Sequence, residues 1–174
     1  AYSILVRDLN GCVGLTPVQN VNQPTNLTMI VVPENTSCFG SQDGTITVTA
    51  SGGSGYQFTL LESPENLTGL TTGIFTGLSA GDYTTRVRDQ NQCEKTSSPT
   101  VISTPAEIIT QISVSSNYNG AQISCAGAMD GKITVAAEGG IGGVFVYTLD
   151  GFPEQVNTSG AIFNGLGPGQ YFVS

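Results

Sequence analysis

The chain has no histidine and no tryptophan among its 174 residues, and only 10% of its residues are charged. Without histidine, a serine or cysteine nucleophile lacks its most common general base. Glu62 and Glu65 could in principle form a glycosidase pair, but they flank Pro64 in a loop and are more typical of a solvated rim. The sequence therefore indicates no catalytic residues, and we expect a protein that is not an enzyme.

Positive charge and long apolar runs are also scarce. Five Lys and Arg residues face thirteen Asp and Glu residues, so the formal net charge is −8. Such a balance disfavours binding to a phosphate backbone or to an anionic membrane surface. No run of 18 apolar residues is present that could span a bilayer. We therefore expect no nucleic acid partner and no membrane insertion of this segment.

Four cysteines occur in a chain that is poor in metal-binding side chains: Cys12, Cys38, Cys93 and Cys125. This combination favours disulfides in an oxidising compartment over a zinc site. We therefore expect a secreted protein.

Two sequence signatures recur along the chain. Phe75 to Cys93 (FTGLSAGDYTTRVRDQNQC) is repeated in part at both ends, its second half as Tyr2 to Cys12 and its first half as Phe163 to Ser174. Cys38 to Val48 (CFGSQDGTITV) returns as Cys125 to Val135 (CAGAMDGKITV). Recurrence of this kind indicates an array of repeats.

The recurrences divide the chain into three segments. We interpret residues 1–23 as the C-terminal part of a preceding repeat, residues 24–104 as one complete repeat, and residues 105–174 as the next repeat, truncated before its last hairpin. Pro24 and Pro105 mark the two boundaries, since proline lacks the N–H that a strand ladder needs.

Alternation of apolar and polar residues predicts short strands throughout. Ile4 and Val6 of the first strand are predicted to face a core, as are Tyr83, Thr85 and Val87 of the penultimate strand of the complete repeat. The predicted strands are residues 2–6, a closing strand through about 21, and 27–32, 45–50, 56–61, 83–88, 100–103, 108–114, 132–137 and 145–150, with 62–74 as a loop that could include one edge strand.

A short motif begins the penultimate strand of each repeat. Leu78 and Gly81 precede Tyr83, and Leu166 precedes Tyr171. A tyrosine in this position is typical of the tyrosine corner of immunoglobulin-like sandwiches, in which the hydroxyl bonds to backbone upstream. The predicted fold class is therefore all-β, a tandem of immunoglobulin-like β-sandwich repeats.

Several motifs occur in a fixed order: Cys38-x-Gly-x-x-Asp43-Gly44-x-Ile46-Thr-Val48, a double glycine, an aromatic third strand, Gly77-Leu78-x-x-Gly81-x-Tyr83, and Asp89-x-Asn91-x-Cys93. Together they resemble the SprB-type repeats of large surface adhesins of gliding Bacteroidota, which are related to PKD-like and other immunoglobulin-like modules. The resemblance covers essentially the whole chain, with Gln92 replacing a usual glycine. It implies a secreted cell-surface adhesin or filament, exported by the type IX system.

The sequence leaves three arrangements of the cysteines open. Cys38 and Cys93 could pair within the complete repeat, although an immunoglobulin topology places their turns at opposite ends, too far apart for the roughly 6 Å between bridged Cα atoms. Bonds could instead join neighbouring repeats, or join Cys12 to Cys38 and Cys93 to Cys125 across the linkers. Free thiols are the third arrangement.

Aspartate and asparagine residues in two turns could supply oxygens to calcium. The candidates are Asp89 with Asn91 and their counterparts Asp8 with Asn10 in one kind of turn, and Asp43 and its counterpart Asp130 in the other. Calcium takes six to eight oxygens, whereas Asp and Asn in turns more often accept backbone hydrogen bonds. We therefore predict no cofactor and no metal, with Asp89 and Asn91 as weak candidates for calcium.

The function that these observations predict is a non-catalytic structural repeat of a long secreted cell-surface adhesin or filament, giving reach and surface adhesion of the gliding-motility type. Its partners are then neighbouring repeats of the same chain, and surface polysaccharide or other cell-surface proteins. Two alternatives stay open. One is a glycan- or protein-binding immunoglobulin-like module, for which the lack of tryptophan is unfavourable, and the other is a spacer in a large secreted hydrolase.

Overall fold

The structure is a computed structural model that describes residues 1–174. It contains strands and no helix, which confirms the all-β class. The strands are β1 (Leu5–Arg7), β2 (Val13–Leu15), β3 (Thr28–Glu34), β4 (Gly44–Ser51), β5 (Gln57–Leu60), β6 (Ile74–Leu78), β7 (Gly81–Tyr83), β8 (Thr85–Arg88), β9 (Glu94–Thr96), β10 (Thr100–Ile102), β11 (Ala106–Val114), β12 (Gly131–Gly140), β13 (Phe145–Tyr147), β14 (Gln155–Asn157) and β15 (Ala161–Leu166).

Residues 24–104 form a sandwich of two antiparallel sheets. One sheet has the strand order β3-β4-β6 and the other has the order β5-β8-β9, and β7 and β10 form a separate pair. Alternate residues of the strands point inward, because side chains alternate between the two faces of a strand. The buried core consists of Ile46, Val48, Phe58, Leu60, Phe75, Leu78, Tyr83, Val87 and Ile102. This is the predicted immunoglobulin-like arrangement.

Residues 105–174 repeat the first sheet with the strand order β11-β12-β15, and they pair β13 with β14. Their core is smaller and consists of Ile133, Val135, Tyr147, Leu149, Ala161, Phe163 and Leu166. No strand in this segment corresponds to β8, β9 or β10. Every hydrogen-bonded strand pair of the chain lies within 1–23, 24–104 or 105–174.

Residues 1–23 form a hairpin of β1 and β2 that copies the β8–β9 hairpin. Leu5 pairs with Leu15 in the first and Arg86 with Thr96 in the second, an offset of 81 residues on both strands. Within the 174 residues, Ile4 is 64% exposed and Val6 is 59% exposed, because these residues include no second sheet that packs against the hairpin.

The strands differ from the predicted ones in several places, and three kinds of difference have a clear physical reason. β6 and β15 were not predicted as strands, because Gly77 and Gly165 interrupt the alternation with φ angles of +73° and +77° at a register shift. β9 is a three-residue strand with no apolar alternation. β3 continues through Pro33, where the sequence predicted an end, because β3 is an edge strand and needs no N–H donor on its outer side.

Candidate functional site

The tyrosine corners are present in both repeats. The Tyr83 hydroxyl donates to the Ser79 carbonyl at 3.0 Å, and the Tyr171 hydroxyl donates to the Gly167 carbonyl at 3.1 Å. Each bond reaches four residues upstream and ties the corner to the strand that follows it. Tyr83 is buried, whereas Tyr171 is half-buried. In both repeats the corner therefore fixes the path of the chain between two strands.

The Asp89 carboxylate organises the turn between β8 and β9. Its Oδ1 accepts hydrogen bonds from the backbone N–H groups of Asn91 at 2.8 Å and Cys93 at 2.9 Å. Asp8 makes the same bonds in the first hairpin, to Asn10 at 3.0 Å and Cys12 at 2.7 Å. The aspartate oxygen that a calcium ion would need is thus engaged by backbone donors in both copies. This turn chemistry is the role that the sequence favoured for Asp89.

A second aspartate braces the turn that precedes β4 and its counterpart before β12. Asp43 Oδ1 accepts from the Ser37 N–H at 3.0 Å, and Asp130 Oδ1 accepts from the Ser124 N–H at 3.1 Å. Ser37 lowers the pKa of Asp43, and Ser124 lowers the pKa of Asp130. In each case the largest cause is a hydrogen bond from the serine side chain, and the next is the hydrogen bond from its backbone. No group of three or more acidic or cysteine side chains lies close enough to hold a metal ion.

All four cysteines are exposed and none is bonded to another. The pairing of Cys38 with Cys93 within one repeat is incompatible with the fold. Cys38 precedes the start of β4, whereas the β8–β9 turn that carries Cys93 lies past the end of β4, where the Gln90 N–H donates to the Ser54 carbonyl at 3.0 Å. The eight residues of β4 extend about 26 Å at 3.3 Å per residue, well beyond the reach of a disulfide.

Ser103 and Thr104, which follow β10, are hydrogen-bonded to the loop between β3 and β4. The Ser103 N–H donates to Asn35 Oδ1 at 2.8 Å, and the Thr104 hydroxyl donates to the Cys38 carbonyl at 3.2 Å. A groove of about 420 Å³ lies at this junction, with Phe39 of one repeat and Ile141 of the next among its lining residues. The junction is therefore a site where consecutive repeats approach each other.

A serine motif that the sequence reasoning passed over also lies at the corner. Gly77 to Gly81 (GLSAG) matches the letters of the Gly-x-Ser-x-Gly nucleophile elbow. That elbow requires a turn from a strand into a helix, whereas here β6 passes into β7 and the chain has no helix. Ser79 contributes its carbonyl to the bond with Tyr83. The motif therefore belongs to the tyrosine corner.

Glu62, a candidate for glycosidase chemistry, also has a backbone partner. Its Oε2 accepts a hydrogen bond from the Thr84 N–H at 2.7 Å, at the break between β7 and β8. This bond satisfies a donor that no neighbouring strand reaches at that point. The side chain thus ties the loop after β5 to the penultimate strand.

Comparison with known proteins identifies the repeat. Residues 30–62 and 117–152 match the SprB repeat family, one match in each of the two larger segments. No curated protein matches the chain. The structure has no helix that is long and apolar enough to cross a membrane. SprB repeats are structural repeats that occur in cell-surface proteins. With two family matches, and with the same sheet, corner and aspartate turns built twice, the chain contains two SprB-type repeats.

Proposed function

We propose that this chain is a length of the stalk of a secreted cell-surface adhesin or filament, of the kind that serves gliding motility, in which non-catalytic repeats provide reach. The observation that carries the proposal is the junction between the two larger segments. Only residues 103–105 separate β10 from β11, and Ser103 and Thr104 are hydrogen-bonded to the repeat they leave. A short, anchored linker suits a stiff rod better than a flexible tether.

The chemistry of the repeats supports a mechanical role. The buried side chains form two apolar cores, and the aspartates at the turns accept backbone hydrogen bonds. In an array, each unit then contributes its own stability and its contacts with the next unit. Neighbouring repeats are thus the first partners of each unit, and surface polysaccharide or other cell-surface proteins are the external partners. The alternative of a spacer in a secreted hydrolase has no specific structural observation in its favour.

Small-angle X-ray scattering tests the stalk. A compact chain of 174 residues has a radius of gyration of about 16 Å, and we expect a clearly larger value with the scattering profile of a rod. A matched variant with four Gly-Ser residues inserted after Pro105 should show a broader distribution of distances, because the linker loses its anchored length. A radius near the compact value would contradict the stalk, and an unchanged distribution in the variant would contradict its stiffness.

Exposure at the cell surface is tested separately on intact cells of the source organism. Antibodies against the folded chain should label unpermeabilised cells, and brief protease treatment of the cells should remove the label. Labelling that requires permeabilisation would contradict an extracellular location. This outcome does not depend on the shape of the isolated chain.

A further inference from the structure

The positive charges of residues 24–104 are confined to one hairpin. Acidic residues outnumber basic ones in this repeat, and its basic residues, Arg86, Arg88 and Lys95, all lie on β8 and β9. Arg86 and Arg88 are two residues apart on β8, so both lie on the outer face of the β5-β8-β9 sheet, opposite to the buried Val87. An acidic repeat thus has one local surface of the opposite charge.

The two arginines line a groove on that outer face. The groove has a volume of about 210 Å³, and its other two lining residues are Gln57 and Thr59 of β5. Gln57 pairs with Arg88 and Thr59 pairs with Arg86 across the two strands, so the strand register brings the four side chains together. All four are polar, and the groove has no apolar lining residue. It belongs entirely to the complete repeat.

Only one of the two arginines has an acidic partner. Arg88 Nε donates a hydrogen bond to Glu94 Oε1 at 2.6 Å, and the two side chains form a salt bridge. No acidic side chain forms a salt bridge with Arg86. The pKa of Glu94 is lowered, first by the hydrogen bond from Arg88 and further by the positive charges of Arg88 and Arg86. Two guanidinium groups therefore share one carboxylate, which leaves positive charge in excess in the groove.

The hairpin does not require an arginine at position 86 in order to fold. Leu5 of β1 occupies the equivalent position in the first hairpin, which has the same strand pairing at an offset of 81 residues. Arg88, by contrast, has a counterpart in Arg7. Arg86 is thus a difference between two copies of one hairpin, and its role is better sought in what the groove binds than in the fold.

We propose that this groove binds an anionic polysaccharide, one whose sugar units carry carboxylate or sulfate groups. The Arg86 guanidinium pairs with the anionic group, since its planar fork of N–H donors can bond two oxygens of one group at once. Gln57 and Thr59 supply donors and acceptors for the sugar hydroxyl groups beside it. The inference rests on the proposed function, in which surface polysaccharide is an external partner of the repeat.

A polysaccharide is the occupant because the groove offers charge and hydrogen bonds but no apolar contact. Protein interfaces usually have an apolar core inside a polar rim, and this groove has no apolar lining residue. The net charge of −8 opposes the approach of any polyanion. Salt at about 0.15 M screens exposed charges that lie more than about 8 Å away, so the nearby arginines determine the local field. We therefore expect weak binding that is specific to this groove.

Isothermal titration calorimetry of the 174-residue chain at about 0.15 M salt tests the proposal with three matched probes. Tetragalacturonate carries carboxylates, sulfated galactotetraose carries sulfates, and galactotetraose carries neither. We expect binding of at least one charged probe, which identifies the anionic group, and no binding of the neutral one. Absence of binding by both charged probes would overturn the proposal, as would neutral galactotetraose binding equally well.

A peptide of four glutamates separates a sugar from an acidic protein segment, because it carries the same charges without the sugar hydroxyls. Tighter binding of this peptide than of either charged sugar would overturn the choice of a polysaccharide. These titrations do not depend on the shape of the chain. Their failure would leave the scattering result for the stalk unchanged, so the two proposals fail separately.

Three variants locate the site. Arg86→Leu should weaken binding of the charged sugar by about tenfold and keep the fold, because Leu5 occupies the equivalent position. Glu94→Gln should strengthen binding by about threefold, because it releases Arg88 and removes a competing carboxylate. A change that only disturbed the hairpin would not improve binding.

Lys132→Leu is the matched control, since it removes one positive charge from the other repeat and should have no effect. A loss in Lys132→Leu as large as that in Arg86→Leu would overturn the site in favour of a general effect of charge. Weaker binding by Glu94→Gln than by the unchanged chain would also overturn it.

Discussion

Residues 24–104 and residues 105–174 build the same first sheet but bury it to different extents. Ile46 and Phe75 of the first repeat have buried counterparts in Ile133 and Phe163 of the second. Val31, which faces the core from β3, is partly buried, whereas Ile112 at the equivalent position of β11 is more than half exposed. The difference shows that β4, β5 and β6 form the centre of the repeat, while the last three strands seal its open side.

The comparison has an energetic meaning. Burial of apolar area stabilises by roughly 25 cal/mol per Å², so the exposed inward face of β11 contributes less stability to its repeat than β3 does. Local stability follows the density of buried contacts. We therefore expect the amides of β11 to exchange faster with solvent than those of β3, even though both strands pair over most of their length.

The largest effect should come from removing the central aromatic side chain. Phe75→Ala should destabilise residues 24–104 by about 3–5 kcal/mol, because it leaves a cavity in a closed core. Phe163→Ala should cost its repeat less, because the core there is already open on one side. Amide hydrogen exchange of β4 and β12, resolved by NMR, reports each repeat separately. Phe39→Ala, at a side chain 55% exposed, is the control and should change neither. Equal losses in the two repeats would contradict the comparison.

Replacement of a glycine that has a positive φ should lower the free energy of unfolding of the two repeats equally, because the first sheet is common to both. Gly52 and Gly139 have positive φ, and a Cβ atom on each would collide with a backbone carbonyl oxygen, of Asn26 and Glu107 respectively. Gly52→Ala and Gly139→Ala should each cost about 2 kcal/mol or more. Gly40→Ala shares the positive φ without any neighbour within 4 Å and should cost only about 1–2 kcal/mol. Denaturant unfolding measures all three, and a Gly40 variant as unstable as the other two would rule out the collision as the cause.

Loss of the corner tyrosine hydroxyl should destabilise the two repeats by small and unequal amounts. Tyr83→Phe removes the hydrogen bond to the Ser79 carbonyl, which the buried Tyr83 hydroxyl makes, at a cost of about 1 kcal/mol. Tyr171→Phe should cost less, because Tyr171 is only half-buried whereas Tyr83 is buried. Thermal unfolding of the two variants provides the measurement. A larger loss for Tyr171→Phe would reverse the expected order.

The smallest predicted effect is the dependence of stability on pH, which should be the same in the two repeats. The pKa values of Asp43 and Asp130 are lowered from the usual 3.8 by hydrogen bonds from Ser37 and Ser124. A carboxyl group with a lowered pKa in the folded state contributes stability above its unfolded pKa and loses it as the pH falls through the folded value. The thermal midpoint of unfolding should therefore decrease slightly when the pH is lowered below about 4. The decrease should be smaller in Asp43→Asn and Asp130→Asn. A midpoint of Asp43→Asn that depends on pH as steeply as that of the unchanged chain would contradict this role.

Sequence patterns identified the repeats but missed elements that depend on long-range pairing. The alternation in residues 45–50 and 83–88 predicted β4 and β8 with the correct inward faces, because these strands are buried on one side only. β6 was not predicted, because Gly77 bends the strand where it pairs with β4 and so interrupts the alternation. β9 was not predicted, because its residues, Glu94 to Thr96, are all exposed and the strand is formed by backbone pairing with β8 alone.

The candidate site was predictable where a short motif determines its own local geometry. Tyr83 with its upstream corner and Asp89 with its turn have the hydrogen bonds expected of them, since these bonds span only four residues. A disulfide between Cys38 and Cys93 is one of the three arrangements that the sequence left open, and it is incompatible with the length of β4 between the two turns. Distances across a sandwich depend on which ends of the strands meet.

The sequence by itself determined the repeat, its all-β class and its turn chemistry, because alternation, glycine positions and Asx turns are local properties of a chain. Only the tertiary structure decided which faces are buried. Val6 and Val87 are each followed by Arg-Asp, yet Val6 is 59% exposed and Val87 is fully buried. The physical reason is that apolar burial requires a second sheet, and whether a second sheet is present is a property of distant residues.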